Sequence, residues 1–154
     1  MKRSKERGCD AIDVDNVDLY QVKKVKNWSN SITKDDAIAF TTWLGKTAHE
    51  VGIAIGLKNC LDIVDTVGKY YDFAISEHCV GRDECKWYKN YLQTGKPVFG
   101  ITYGGLDSNK NALCRNLDGL PITMVIKNGD NKLEQASVRF DGNKYCGSSF
   151  KSGK

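Results

Sequence analysis

No run of about 18 apolar residues occurs anywhere in the chain, which excludes a membrane-spanning helix. The first ten residues also lack the apolar stretch of a secretory signal, so an export signal, if the protein has one, is expected upstream of Met1. Histidine is scarce, with only His49 and His78, and no Cys-x2-Cys pair is present. The close ligand spacing of a structural zinc site is therefore missing. Collagen-like and low-complexity segments are absent too. A continuous basic face is the last absence. The net charge of +4 comes from Lys2, Arg3, Lys5 and Arg7 against Glu6 at one end and Lys144, Lys151 and Lys154 at the other. The body between them is slightly acidic, which argues against nucleic acid as a partner.

What is present fits one globular domain with a real core: 154 residues, 40% hydrophobic and 27% charged. Six cysteines are many for a reduced compartment, and they favour oxidised structural thiols over metal ligands. Cys79 and Cys85 bracket five residues and can close a small loop as a disulfide, whereas Cys9, Cys60, Cys114 and Cys146 show no readable pairing. Asn27-Trp28-Ser29 is a glycosylation sequon, consistent with export.

Apolar strands alternate with helical patterns along the chain. Met1 to Gly8 reads as the tail of a helix, and Cys9 to Asp18 as a strand that delivers Asp13, Asp15 and Asn16 at its exit. Leu19 to Ile32 reads as a loop. Thr33 starts a helix, with Asp36 placed for a capping box and Ala37, Phe40, Leu44, Ala48 and Val51 on its apolar face; Gly52 ends it. Ile53 to Asn59 is a buried strand leaving Lys58 and Asn59 at its exit, and Leu61 to Val67 a short helix. Tyr71 to Cys79 is a strand ending in Glu77. Asp83 to Leu92 reads as a helix, Lys96 to Tyr103 as a strand, Lys110 to Leu117 as a weak helix, Pro121 to Ile126 as a strand and Ala136 to Phe140 as an edge hairpin. About five strands at this pitch imply βαβ crossovers and a parallel sheet. Asp13, Asp15, Asn16, Lys58, Asn59, Glu77 and Tyr103 all fall at strand C-terminal ends, where α/β architectures build their sites. A closed barrel needs eight strands, so an α/β fold corresponding to the later part of a (β/α)8 barrel, about five units, is expected as a single partial domain spanning 1–154.

The runs CDAIDVDNVDLY, AHE-GIAIGLKN, DFAISEHC with DEC, and GKPVFGITY, in order over Lys5 to Ile126, resemble glycoside hydrolase family 114, the endo-α-1,4-polygalactosaminidase type. The resemblance implies a secreted (β/α)8 barrel that cuts within galactosamine-containing polysaccharide using two carboxylates. On its motifs Asp15 and Glu77 fall at the catalytic positions. Lys58 and Asn59 fall after the fifth barrel strand, Tyr103 after the seventh, and Cys79 and Cys85 at the paired cysteines. Asp15 is expected as nucleophile and Glu77 as general acid/base, its apolar strand Phe73-Ala74-Ile75 favouring a raised pKa. Asp13, Asn16, Lys58, Asn59 and Tyr103 are expected to bind substrate. No cofactor or metal is implied, because acid–base cleavage of a glycoside needs none, and the full-length enzyme is expected to be a monomer. Three departures stand out: Cys60 where the family commonly has an acid, a longer loop between Tyr20 and Trp43, and about three missing leading βα units, which point to truncation. The alternatives are an inactive or carbohydrate-binding barrel fragment and, on the weak signal of Gly104-Gly105, a phosphate-ester enzyme on an α/β barrel.

Overall fold

The computed structural model describes residues 1–129 and 136–153. It is a mixed α/β fold around a mostly parallel six-stranded sheet whose strands follow chain order. Two compact units divide the chain, Met1–Ala74 and Ile75–Lys154.

In the first unit, α1 (Lys2–Glu6) leads to β1 (Ala11–Val14), which pairs in parallel with β2 (Ala54–Lys58) in the register Ala11↔Ala54 through Val14↔Leu57. A parallel pair requires a crossover, and α3 (Lys34–Glu50) supplies it. Its start is locally encoded. The Asp36 amide donates to the Thr33 hydroxyl oxygen, and the Thr33 amide donates back to the Asp36 carboxylate, as the Thr-x-x-Asp pattern anticipates. Its end is equally specified: Gly52 has φ +69°, and the amides of Gly52 and Ile53 donate to the carbonyls of His49 and Ala48.

The buried face of α3 corrects the expectation from sequence. Ala37, Thr41, Leu44, Gly45 and Ala48 are buried, whereas Phe40 is exposed and stacks on exposed Trp43 at 5.9 Å. At about 100° per residue, the buried stripe centres near Ala48, and Phe40 falls on its shoulder. Thr41 can occupy the core because its hydroxyl donates to the Ala37 carbonyl at 2.6 Å and its own carbonyl accepts from Tyr71 at 2.8 Å. Gly45 allows close approach, since a Cβ there would lie 2.5 Å from the Tyr70 carbonyl oxygen. The segment expected as plain loop, Leu19 to Ile32, holds a 3₁₀ turn at Leu19–Gln21 and α2 (Lys23–Lys26), pinned by buried Tyr20 and Val25. Beyond β2 come a 3₁₀ turn at Leu61–Ile63 and α4 (Val64–Val67), as expected.

β3 (Phe73–Glu77) runs across the division between units. In the first unit the Asp72 amide donates to the Ile55 carbonyl, and in the second the His78 amide donates to the Ile101 carbonyl. The second unit continues with a 3₁₀ turn at Cys85–Tyr88, α5 (Lys89–Gln93), β4 (Val98–Thr102), α6 (Leu106–Leu117), β5 (Ile122–Lys127), β6 (Ser137–Arg139) and α7 (Gly142–Tyr145). β4 and β5 are parallel; β6 runs antiparallel to β5, matching the anticipated edge hairpin. The turn residues expected after Asn128 lie partly outside the described residues. Two starts differ from expectation. Asp83 adopts φ +58°, so regular helix begins only after it. α6 begins at Leu106 rather than Lys110, because Asn109 donates to the carbonyls of Tyr103 and Gly105 and ties the turn to the first helical residues.

Cys79 and Cys85 form the expected disulfide, and a second one joins Cys114 on α6 to Cys146 after α7. Cys9 is a free, exposed thiol, and Cys60 a free, buried one.

Candidate active site

The exits of β1 and β2 bring together the first group of expected residues. Asp13 lies in β1 and Asp15 two positions later, a spacing that sends both side chains to one face. Lys58 at the end of β2 reaches across, its Nζ donating to Asp15 Oδ1 at 2.7 Å. Asn16 turns the chain with φ +57°, and its own amide donates to the same Asp15 oxygen at 2.9 Å. The lysine stem is buried, with 9% of its side chain exposed, whereas the Asp15 carboxylate is 62% exposed. This places an anchored cation beneath an open carboxylate.

The two aspartates are tuned in opposite directions. The Lys58 hydrogen bond, helped by the Asn16 amide, holds Asp15 below the usual carboxylate range. Desolvation pushes Asp13 up; the Lys58 charge opposes that rise and the Asp15 charge adds to it. Asn59, half-buried, follows Lys58 with φ +52°, and Cys60 continues the left-handed turn at φ +55°. Cys60, where the resemblance led one to expect an acid, is a buried thiol. Desolvation, with the nearby charges of Asp18 and Asp62, pushes it up to about 12, so it stays protonated and takes no nucleophilic role.

The second group lies in the second unit. Glu77 ends β3 half-buried, and the Tyr103 hydroxyl donates to its Oε1 at 2.6 Å. His78 follows with φ +69°, and its ring packs on Tyr103 with centroids 4.9 Å apart. The contact partner is the ring that holds the glutamate, a relation invisible in a pattern of spacing. Asn109 was also missed: by binding the Tyr103 carbonyl it fixes the backbone that carries that hydroxyl.

His49 is half-exposed and bonds Asp72 at 2.9 Å; that carboxylate also accepts the Ile55 amide. This contact fastens the end of α3 to the start of β2, at the strand end away from Asp15. Gly104 and Gly105 both have positive φ, with Gly105 immediately preceding α6. Among the described residues no group of histidine, cysteine and acidic side chains is arranged to hold a metal ion, and no helix is long and apolar enough to cross a membrane.

Among solved structures, the chain is similar to Aspergillus fumigatus Ega3 in complex with galactosamine, with 35% identity and a TM-score of 0.67 over 81% of this chain and 52% of that one. It is similar in fold to the glycoside hydrolase domain of PelA from Pseudomonas aeruginosa, with 14% identity and a TM-score of 0.51 over 81% of this chain and 55% of that one. The chain thus spans about half the length of these structures. No curated protein matches it. The family model of glycoside-hydrolase family GH114 matches residues 1–147. With that match over nearly its whole length, and with strand-exit carboxylates on a fold similar to part of a TIM barrel, the chain belongs to glycoside-hydrolase family GH114.

Proposed function

We propose that the chain serves an endo-acting hydrolase of galactosamine-containing polysaccharide, with Asp15 and Glu77 as its two carboxylates. The observation that carries this reading is the contact between Lys58 and Asp15, which keeps one carboxylate ionised and open to solvent at a strand exit. Asp15 then attacks, or stabilises, the anomeric carbon as the glycosidic bond breaks. Glu77 gives its proton to the departing glycosidic oxygen and takes one back from the incoming water. Tyr103 orients Glu77 through its hydroxyl, while Asn16 and Asn59 bind sugar hydroxyls.

Substrate class follows from charge as well as from likeness. Asp13 and Asp15 against Lys58 leave an excess of negative charge, which suits a cationic amino sugar. The galactosamine in the Ega3 structure supports the same choice. Two disulfides favour an oxidising compartment, and Asn27 of the sequon is exposed, so we place the protein outside the cell.

The test is turnover of α-1,4-linked galactosamine oligomers by the wild-type chain and by Asp15→Asn and Glu77→Gln. Each variant should lose about 10²-fold or more, the scale of a lost acid–base or nucleophilic group. Retention of wild-type turnover by either one removes it from the mechanism. Binding of the oligomers with no cleavage by the wild type would mark the chain as a carbohydrate-binding fragment instead.

A further inference from the structure

The second unit carries a cleft of about 400 Å³, within the range of small-ligand sites, that the catalytic scheme does not use. Asp83 and Lys86 line it from the segment after β3, Lys89 from the first position of α5, and Arg115, Asn116 and Asp118 from the end of α6. At about 1.5 Å of rise per residue, Arg115 lies about 14 Å along α6 from Leu106, the end that follows Tyr103. Arg115 and Asn116 therefore stand away from the contact between Tyr103 and Glu77.

The charges here are ordered, and they are unequal. Asp83 is already engaged: its Oδ1 accepts from Asn116 Nδ2 at 2.8 Å and from Arg115 Nε at 3.3 Å. Those two contacts hold it below the usual carboxylate range, so it stays ionised beside Arg115. Asp118 is engaged on one oxygen, which accepts the Lys151 amide at 2.7 Å. Lys86 adds its charge to the field at Asp83, but among the described residues neither Lys86 nor Lys89 makes an ion pair with an acid. Three cations thus line the cleft with two carboxylates, and both lysine ammonium groups are open to a ligand.

The backbone beneath these cations is stapled. Lys86 directly follows Cys85, which is bonded to Cys79, and Arg115 directly follows Cys114, which is bonded to Cys146. Cys85 and Tyr88 are buried under their 3₁₀ turn, which leaves Lys86 on its outer side and Lys89 exposed just beyond it. Arg115 gives its Nε to Asp83, which orients the guanidinium plane and leaves its two terminal nitrogens as a fork. A planar carboxylate would be satisfied by that fork alone. A tetrahedral dianion keeps further oxygens for the two lysines, which act as point charges. The same surplus of positive charge repels a cationic sugar.

We propose that this cleft is a binding site for a tetrahedral oxyanion, carried by its ligand as a phosphate or sulfate monoester. Its chemistry is opposite to that of the amino-sugar mouth, and it stands independently of the hydrolase reading. It gives the second unit a hold on a phosphorylated or sulfated molecule that is not the polymer to be cut.

Titration of the chain with inorganic phosphate and with inorganic sulfate, at constant ionic strength and followed by amide NMR, tests this; acetate serves as the planar control. The amide signals of Lys86, Lys89 and Arg115 should move together and saturate, and acetate should bind about tenfold more weakly. Whichever of phosphate and sulfate binds more tightly names the ester. Lys86→Ala combined with Lys89→Ala, both at exposed side chains, should weaken binding about tenfold, the worth of two exposed charge contacts. Arg115→Lys keeps the charge beside Asp83 but removes the fork, and should weaken the oxyanion about fivefold at an unchanged melting temperature. Shifts that fail to saturate, equal affinity for acetate, or binding unmoved by the double lysine change would mark an adventitious ion only and overturn the site.

Discussion

Lys58→Met tests the tuning of Asp15 most directly. Methionine keeps the length and the buried stem of the side chain but removes the ammonium that donates to Asp15 at 2.7 Å. A hydrogen bond to a charged group is worth about 1.5–3 kcal/mol, and one pKa unit corresponds to about 1.36 kcal/mol. Because the Asp15 side chain is 62% exposed, solvent screening leaves only part of that energy, and the Asp15 pKa should rise toward the ordinary carboxylate range. Asp15 must be ionised to act, so the acid limb of kcat/KM should move up by the same amount. The Asp15 carboxyl carbon resonance, followed by NMR, should show the shift independently of turnover. The stability consequence has a definite sign. A depressed carboxyl pKa contributes stability above the unfolded value of about 3.9, and that contribution is lost as pH falls through the folded pKa. The difference in Tm between wild type and variant should therefore shrink toward acid. An unmoved acid limb together with an unmoved Asp15 resonance would refute the assignment of Lys58 as the group that keeps Asp15 charged.

Asp13 carries the opposite sign: its raised pKa means that ionisation opposes folding at neutral pH. Asp13→Asn should raise Tm at pH 7 and lose that advantage below about pH 3.9, measured by thermal melts across pH. For the disulfides, loop-closure entropy over separations of 32 and 6 residues gives roughly 3.7 and roughly 2.2 kcal/mol. Replacing Cys114 and Cys146 with serine should thus lower the denaturation midpoint more than replacing Cys79 and Cys85; the reverse order would count against the entropic account. Gly45→Ala places a methyl 2.5 Å from the Tyr70 carbonyl oxygen and should cost about 1–3 kcal/mol in chemical denaturation, as overpacking does.

The sequence shows the strands and the strand-exit acids because both rest on local signals. Period-two or continuous apolar runs mark β1 to β5, and the Thr33 and Asp36 cap and Gly52 mark α3 at both ends. Phe40 was misassigned because a large apolar residue on the shoulder of a helical stripe satisfies the pattern as well as the buried Thr41 does. Only the packing partner, Tyr71, decides between them. The pairing of Cys114 with Cys146 depends on where α7 returns along the chain, and no spacing rule contains that information. The same limit applies to Asp62. As a loop acid it is unremarkable in sequence, and it becomes the centre of a network only when the turns after β1 and β2 meet.

Directly after β1, β2 and β3 the left-handed positions are held by residues other than glycine, namely Asn16, Asn59 with Cys60, and His78, although glycine enters that conformation most readily. A thermostability campaign would single these positions out first, since glycine would ease each torsion. The same exchange would loosen the pivots beside Asp15, Lys58 and Glu77. A hardier variant obtained that way would then be a blunter one, its charged tips wandering over a wider arc.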